Sequence, residues 1–252
     1  MSQEAAFTGP LAGQTAIVTG AGRGIGRAIA RAFAGAGAAV VLASRTREEL
    51  ERTLEEIRLA GGRAVAHPAD VTRKPDAEAL VARALSETGR LDIVVNNAGV
   101  FVWKTLGNLE EAEWDRVLAT NLKAAYLLIH AALPALGKAP RGRIVNVSSI
   151  HGTVGDANVV AHCAAKFGLI GLTKALAVEL RGAGITVNAV CPGSTENRSL
   201  AEAPPPHAAP LAEKLNAEDV AAAALFLVSD AAAPITGAVL DVWGGTRVTI
   251  RG

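Results

Sequence analysis

Cysteine is scarce in this chain of 252 residues: Cys163 and Cys191 are the only two. Two thiols far apart can form neither a disulfide framework nor a cysteine metal motif, so no metal is expected and the thiols read as reduced. Aromatic residues make up only 4%, too few for a typical all-β sandwich. No apolar run approaches the roughly 18 residues that span a bilayer. The longest, 124–137 and 220–228, are short, and the first contains His130 and Pro134. The opening MSQEAAFTGP lacks a positive start and an apolar stretch, so no secretory signal is expected. Charge of one sign is also missing: 25 Lys and Arg face 24 Asp and Glu, a net +1. That balance gives no electrostatic case for nucleic acid or an anionic membrane as partner. These absences point to a cytoplasmic protein.

What is present is apolar and glycine-rich: half the residues are hydrophobic and 26 are glycine. Runs rich in Val, Ile and Leu lie at 15–19, 39–43, 63–67, 91–96, 143–148, 186–191 and 238–242. Most are continuous rather than alternating, as parallel strands buried on both faces require. Between them, helical patterns occupy 24–35, 47–60, 74–88, 110–136, 158–181 and 217–229. This alternation predicts an α/β fold, a Rossmann-like doubly wound seven-stranded parallel sheet flanked by helices. One domain is expected over 13–252, after a flexible N-terminus at 1–12. The stretch 192–216 carries Pro192, Pro204, Pro205, Pro206 and Pro210 and few large apolar residues. Long irregular inserts in compact domains are usually functional, so it reads as a substrate flap, with a plain linker as the other reading.

The first strand runs into Thr19-Gly20-Ala21-Gly22-Arg23-Gly24-Ile25-Gly26, where a helix begins. Glycines permit a tight turn and close approach of backbone amides to a phosphate, and a helix N-terminus adds unpaired donors and its dipole. Ile25 occupies the place where GxGxxG would need its third glycine, so the spacing that fits is TGxxxGxG, with Gly20, Gly24 and Gly26. The second strand ends at Ser44 and Arg45, without the acid that would accept from a ribose 2′-hydroxyl. Arg45 with Arg23 could instead clamp a 2′-phosphate, which favours NADP(H) over NAD(H). The alternative is that both arginines are merely solvated.

Further motifs follow at matching places: Asp70-Val71 after the third strand, Asn96-Asn97-Ala98-Gly99 after the fourth, and Asn121 in a long helix. Ser148-Ser149 follow the fifth strand and Pro192-Gly193 the sixth. Over about 13–245 the chain resembles the short-chain dehydrogenase/reductase family, and within it the 3-oxoacyl-carrier-protein reductases and related ketoreductases. The resemblance implies NAD(P)(H)-dependent interconversion of carbonyls and alcohols by a homo-oligomer. It also implies that Gly20, Gly24 and Gly26 hold the pyrophosphate, that Asp70 and Val71 meet the adenine, and that Asn97, Ala98 and Gly99 back the cofactor. Asn121 would hold a water of the proton relay, Ser149 would bond the substrate oxygen, Lys166 would bind the nicotinamide ribose, and Pro192, Gly193 and Thr195 would touch the carboxamide. Spacing to the next key position prefers Ser149 over Ser148.

That next position departs from the family. A YxxxK pattern is expected, yet the segment reads His162-Cys163-Ala164-Ala165-Lys166, and the only tyrosine, Tyr126, lies in another helix. Residues four apart share a helix face, so His162 and Lys166 should still point together. A phenol near pKa 10 is lowered toward working pH by a neighbouring Lys⁺, whereas imidazole, near 6.5, is pushed further below it. At about 4 Å and an effective ε of about 20 the repulsion is of order 4 kcal/mol. Neutral imidazole should therefore dominate, able to accept a proton from an alcohol but a poor donor to a developing alkoxide. Being shorter than a phenol, it leaves a gap that a water could bridge. Three readings stand: a redox enzyme using His162 or a bridging water, a dinucleotide-binding protein with negligible turnover, and a non-redox acid/base enzyme such as an isomerase, lyase or cyclase.

Around this centre, His151, Phe101, Trp103, Asn158 and Arg198 are candidates for the substrate pocket. Each has a plainer reading: a loop histidine, two aromatics packed on a helix, a helix N-cap at Asn158, and a solvated arginine. Trp243 interrupts the VDGG ending usual in the resembling family. The apolar stripes of 110–136 and 158–181 exceed what one sheet face needs, and the resemblance implies that such helices pair across two-fold axes, so a homo-oligomer, tetramer or dimer, is expected.

Overall fold

The computed structural model describes residues 8–194 and 215–243. Seven strands form one parallel sheet: β1 (Thr15–Thr19), β2 (Ala39–Ser44), β3 (Arg63–Pro68), β4 (Ile93–Asn96), β5 (Arg143–Val147), β6 (Thr186–Pro192) and β7 (Val239–Val242). Their order is β3-β2-β1-β4-β5-β6-β7. The chain winds outward from β1 to β3, returns to β4 beside β1, and winds outward again to β7. In such sheets ligands bind where the direction reverses, here above the carboxyl ends of β1 and β4.

Helices cover both faces. On one lie α1 (Gly24–Gly35), α2 (Arg47–Leu59) and α7 (Ala217–Val228), joined to the sheet through Ile29, Phe33, Leu50, Ile57 and Leu227. On the other, α3 (Lys74–Thr88), α5 (Ala124–Leu136) and α6 (Val160–Glu179) bury Leu80, Leu128, Leu136 and Ala177 against Ile17, Val94 and Ile144. A buried polar chain runs through the sheet: Asn96 donates to Asn146 at 2.8 Å, and Asn146 donates to Thr173 of α6 at 2.9 Å.

Several expectations shift. The single helix anticipated over 110–136 is α4 (Glu111–Leu118), a π-helical turn (Ala119–Lys123) and α5. A π turn inserts one residue into the ladder, a device common where a side chain must be aimed. Here the aimed residue is Asn121. Within the segment expected to be loose at 1–12, residues 8–12 are described, and Leu11 is fully buried with its N–H on the Ala36 carbonyl at 2.9 Å. Most of the expected flap at 192–216 lies outside the described residues, as do Thr195 and Arg198. By length and composition alone, 111–136 and 160–179 are apolar enough to cross a bilayer. Both instead pack on the sheet and carry Asn121, His162 and Lys166 inward.

Candidate active site

The glycine loop is built around Thr19. Its hydroxyl donates to the Val95 carbonyl at 3.2 Å and accepts from the Asn97 and Ala98 amides at 2.9 and 3.0 Å. The Asn97 side chain donates back to the Thr19 carbonyl at 2.9 Å, which pins the end of β1 to the end of β4. Gly20 and Gly24 have φ of +66° and +52°, the left-handed region that only glycine enters cheaply. At Gly26 an added Cβ would fall 2.2 Å from the Gly20 carbonyl oxygen. No side chain caps α1, and its first turn carries no acid. An uncapped helix start beneath a collapsed glycine turn is the donor set a diphosphate takes. Ile25 is half-buried and packs on the core, so any contact it offers a ligand is through backbone.

Arg23 and Arg45 are exposed at this loop and at the end of β2. Ser44 donates its hydroxyl to the Thr46 carbonyl at 3.3 Å. Across the loop, Asp70 accepts from the Thr72 hydroxyl at 2.7 Å and its amide at 3.0 Å. Those bonds, the hydroxyl first, hold its carboxyl below the usual range, and the charges of Arg45 and Arg73 add to them. Val71 is buried beside Asn121 and Ala98 in a small cavity. Glu49 is not marked by the sequence, because it lies past the strand end: the first turn of α2 folds it back so that a Cβ on Gly22 would lie 3.1 Å from its Oε2 and 3.3 Å from Ser44 Oγ. A carboxylate therefore stands close to the spot assigned to a 2′-phosphate.

At the ends of β4 and β5 the structure brings together Asn121, His162 and Lys166, all buried. Asn121 accepts from the Val100 amide at 2.8 Å, donates to the Val100 carbonyl at 2.9 Å, and lies 3.3 Å from His162 Nδ1. Lys166, one turn after His162, donates to the Val147 carbonyl at 2.7 Å. Burial pulls the His162 imidazole down to about 3, with the charge of Lys166 and then His151 adding to it. Burial likewise brings the Lys166 amine down to about 8. The sequence alone gives the direction for His162 through Lys166, but loss of water is the larger cause.

Of the two serines, Ser148 is buried and donates to the Lys166 carbonyl at 3.1 Å, which leaves it scaffolding. Ser149 is partly exposed, and its hydroxyl accepts from the His151 amide at 3.2 Å. The His151 ring stands edge-on to His162 with centroids 5.7 Å apart, and its Nε2 lies 3.4 Å from Asp156 Oδ2. Phe101 packs on His162 at 4.9 Å and Trp103 lies 6.0 Å from Phe101. Asn158 is not the N-cap expected; Val159 is. Asn158 instead has φ +66°, and its carbonyl accepts from the Lys104 amide at 2.8 Å. Gly193 donates to the Val242 carbonyl at 2.9 Å, and a Cβ there would sit 3.3 Å from Trp243 Cα. Below Ser148, Cys191 is buried, and its thiol is raised to about 11, chiefly by burial. Pro192 ends β6.

A doubly wound parallel sheet with a glycine turn at its switch point defines a Rossmann-like protein. The chain belongs to the short chain dehydrogenase family, whose model matches residues 14–206. It is 35% identical over 252 residues to D-beta-hydroxybutyrate dehydrogenase of Rhizobium meliloti, covering 92% of this chain and 98% of that one. It is 39% identical over 239 residues to the 3-oxoacyl-(acyl-carrier-protein) reductase of Staphylococcus aureus, covering 92% and 97%. A crystal structure described as a short-chain alcohol dehydrogenase of Sinorhizobium meliloti matches with a TM-score of 0.87 at 38% identity, covering 95% and 98%.

Proposed function

We propose that this protein is an NADP(H)-dependent oxidoreductase that interconverts a carbonyl and an alcohol on a small molecule. The reading takes His162 to stand where the family carries its tyrosine, with Ser149, Lys166 and Asn121 as its companions. The observation that carries it is the convergence of buried Asn121, His162 and Lys166 at the strand ends beside the glycine cradle. When bound, the nicotinamide supplies or takes up the hydride. Gly20, Gly24, Gly26 and the first amides of α1 hold its diphosphate. Ser44, Arg23 and Arg45 take the 2′-phosphate, opposed by Glu49. Asp70 and Val71 meet the adenine, and Asn97, Ala98 and Gly99 line the cofactor's back. Lys166, still largely charged at pH 7, reaches the ribose, and Pro192, Gly193 and Thr195 the carboxamide. Ser149 bonds the substrate oxygen, and Phe101, Trp103 and His151 wall its pocket.

Tyr126, Phe167 and Val178 leave apolar side chains exposed on α5 and α6, which supports self-association into a dimer or tetramer; a cytoplasmic location belongs to the same reading. The burial of His162 beside Lys166 favours a second reading, a nucleotide-binding protein with negligible turnover, because an imidazole held neutral in such a setting is a poor proton carrier. Mixing the protein with NADPH and ketones, or NADP and alcohols, and following reduced-nicotinamide absorbance separates the two. Turnover that disappears in His162→Ala supports the enzyme. Tight binding without turnover, with turnover gained in His162→Tyr, supports the binding protein.

A further inference from the structure

We propose that Asn121 is a positioning residue that fixes the tautomer of His162, so that the ring carries its proton on Nε2 and offers a carbonyl oxygen a hydrogen-bond donor. The inference rests on the reading of the site as one that handles a carbonyl. The backbone of Val100 sets the orientation of the Asn121 amide from both ends: N–H to Oδ1 at 2.8 Å, and Nδ2–H to the carbonyl at 2.9 Å. Turning the amide over would set N–H against N–H and oxygen against oxygen, so the assignment of its two ends is not free.

The second N–H of Nδ2 is the one that meets His162 Nδ1, at 3.3 Å. An amide nitrogen donates and does not accept, so toward Asn121 Nδ1 is the accepting nitrogen. The Val100 carbonyl, which also bonds this ring, competes for a ring N–H but already accepts from the Asn121 amide at 2.9 Å. In a neutral imidazole the proton then sits on Nε2, the nitrogen across the ring. The ring is neutral for reasons already given: it is buried, Lys166 stands one turn below it on α6, and His151 faces it edge-on from the turn after β5. The π turn at Ala119–Lys123 carries Asn121 to this position.

The consequence reverses part of the expectation drawn from charge alone. A neutral imidazole was expected to take a proton from an alcohol. With Nδ1 occupied by Asn121 and Nε2 already protonated, His162 has no free lone pair for that proton. It suits an oxygen that accepts: the carbonyl of a ketone, or the carbonyl-like oxygen of an inhibitor. Neutral imidazole donating to a carbonyl is a known catalytic device.

Nitrogen-15 NMR of the histidine-labelled protein without cofactor, at pH 7, tests this independently of turnover. The expected result is a pyrrole-type Nε2 and a pyridine-type Nδ1 for His162, assigned by loss of the signals in His162→Gln. Asn121→Asp replaces the donor facing Nδ1 by an acceptor and should invert the pattern. A pyridine-type Nε2 in the wild type overturns the proposal, as does an Asp variant that folds and keeps the wild-type pattern. If the Asp variant does not fold, the wild-type spectrum decides. A protein that shows the expected tautomer and no turnover with any ketone would defeat the enzyme reading and leave the tautomer standing. Where turnover exists, His162→Leu should lower kcat with ketones about 10²-fold or more. Part of that loss should return in His162→Gln, which restores an N–H donor; equal loss in both variants refutes the donor role.

Discussion

Acid should destabilise this protein through His162 in a way that can be isolated. In the unfolded chain the imidazole titrates near 6.5. In the fold, burial first and Lys166 second pull it down to about 3. Between those values the unfolded state binds the proton and the native state does not, so stability falls as pH drops through 6.5 toward 3. From pH 7 to pH 5 the unfolded histidine takes up most of a proton and the folded one almost none. Integrating that difference gives a loss of about 2 kcal/mol from this one group. For a domain of this size that corresponds to about 4–8 °C in Tm. The assay compares urea unfolding of wild type and His162→Gln at both pH values and one fixed protein concentration. His151, also lowered chiefly by burial, titrates in both proteins and largely cancels. Wild type should lose about 2 kcal/mol more than the variant. Equal losses would mean that the native imidazole takes up its proton readily, and the account of a neutral ring would fail.

Gly26→Ala drives a methyl onto the Gly20 carbonyl, 2.2 Å away, and should cost at least about 2 kcal/mol and abolish NADPH binding by titration calorimetry. Arg45→Ala should weaken NADPH about tenfold with little effect on NADH, as loss of one charge-assisted phosphate contact does; equal effects on both would remove Arg45 from the phosphate site. Glu49→Gln should move the other way, tightening NADPH by about threefold, a gain that high salt diminishes. Asn146→Ala breaks the buried chain from Asn96 to Thr173 and should cost about 1–3 kcal/mol in urea unfolding without changing cofactor affinity.

The seven strands were legible because each is buried on both faces, and continuous Val and Ile runs leave few other readings. Boundaries drifted by a residue or two, as at β4, where 91–96 was expected and Ile93–Asn96 is observed. What the sequence hid was local geometry that depends on hydrogen bonds between distant segments. The π turn that carries Asn121 has no compositional mark; its polar contacts come from Val100, in the loop after β4. Asn158 reads as a cap by its position before a helix, yet the left-handed backbone it adopts is tied to Lys104. Glu49 lies beyond the strand end where an acid is sought, and only the fold shows that the first turn of α2 overhangs Gly22 and Ser44.

His162 shows where reading charge from sequence succeeds and where it stops. Spacing alone puts it one turn from Lys166, and like-charge repulsion then gives the direction of its shift. Neither spacing nor charge says which ring nitrogen keeps the proton, because that depends on a third group, and the third group arrives from another helix. On the proposed reading, the cradle at β1 and the proton chemistry at α6 are thus separable properties of one fold. The first is written in glycines that tolerate no Cβ, the second in which nitrogen of one imidazole Asn121 leaves free. A change at position 162 can alter the chemistry while the cradle is untouched, which is why cofactor binding and turnover have to be measured apart.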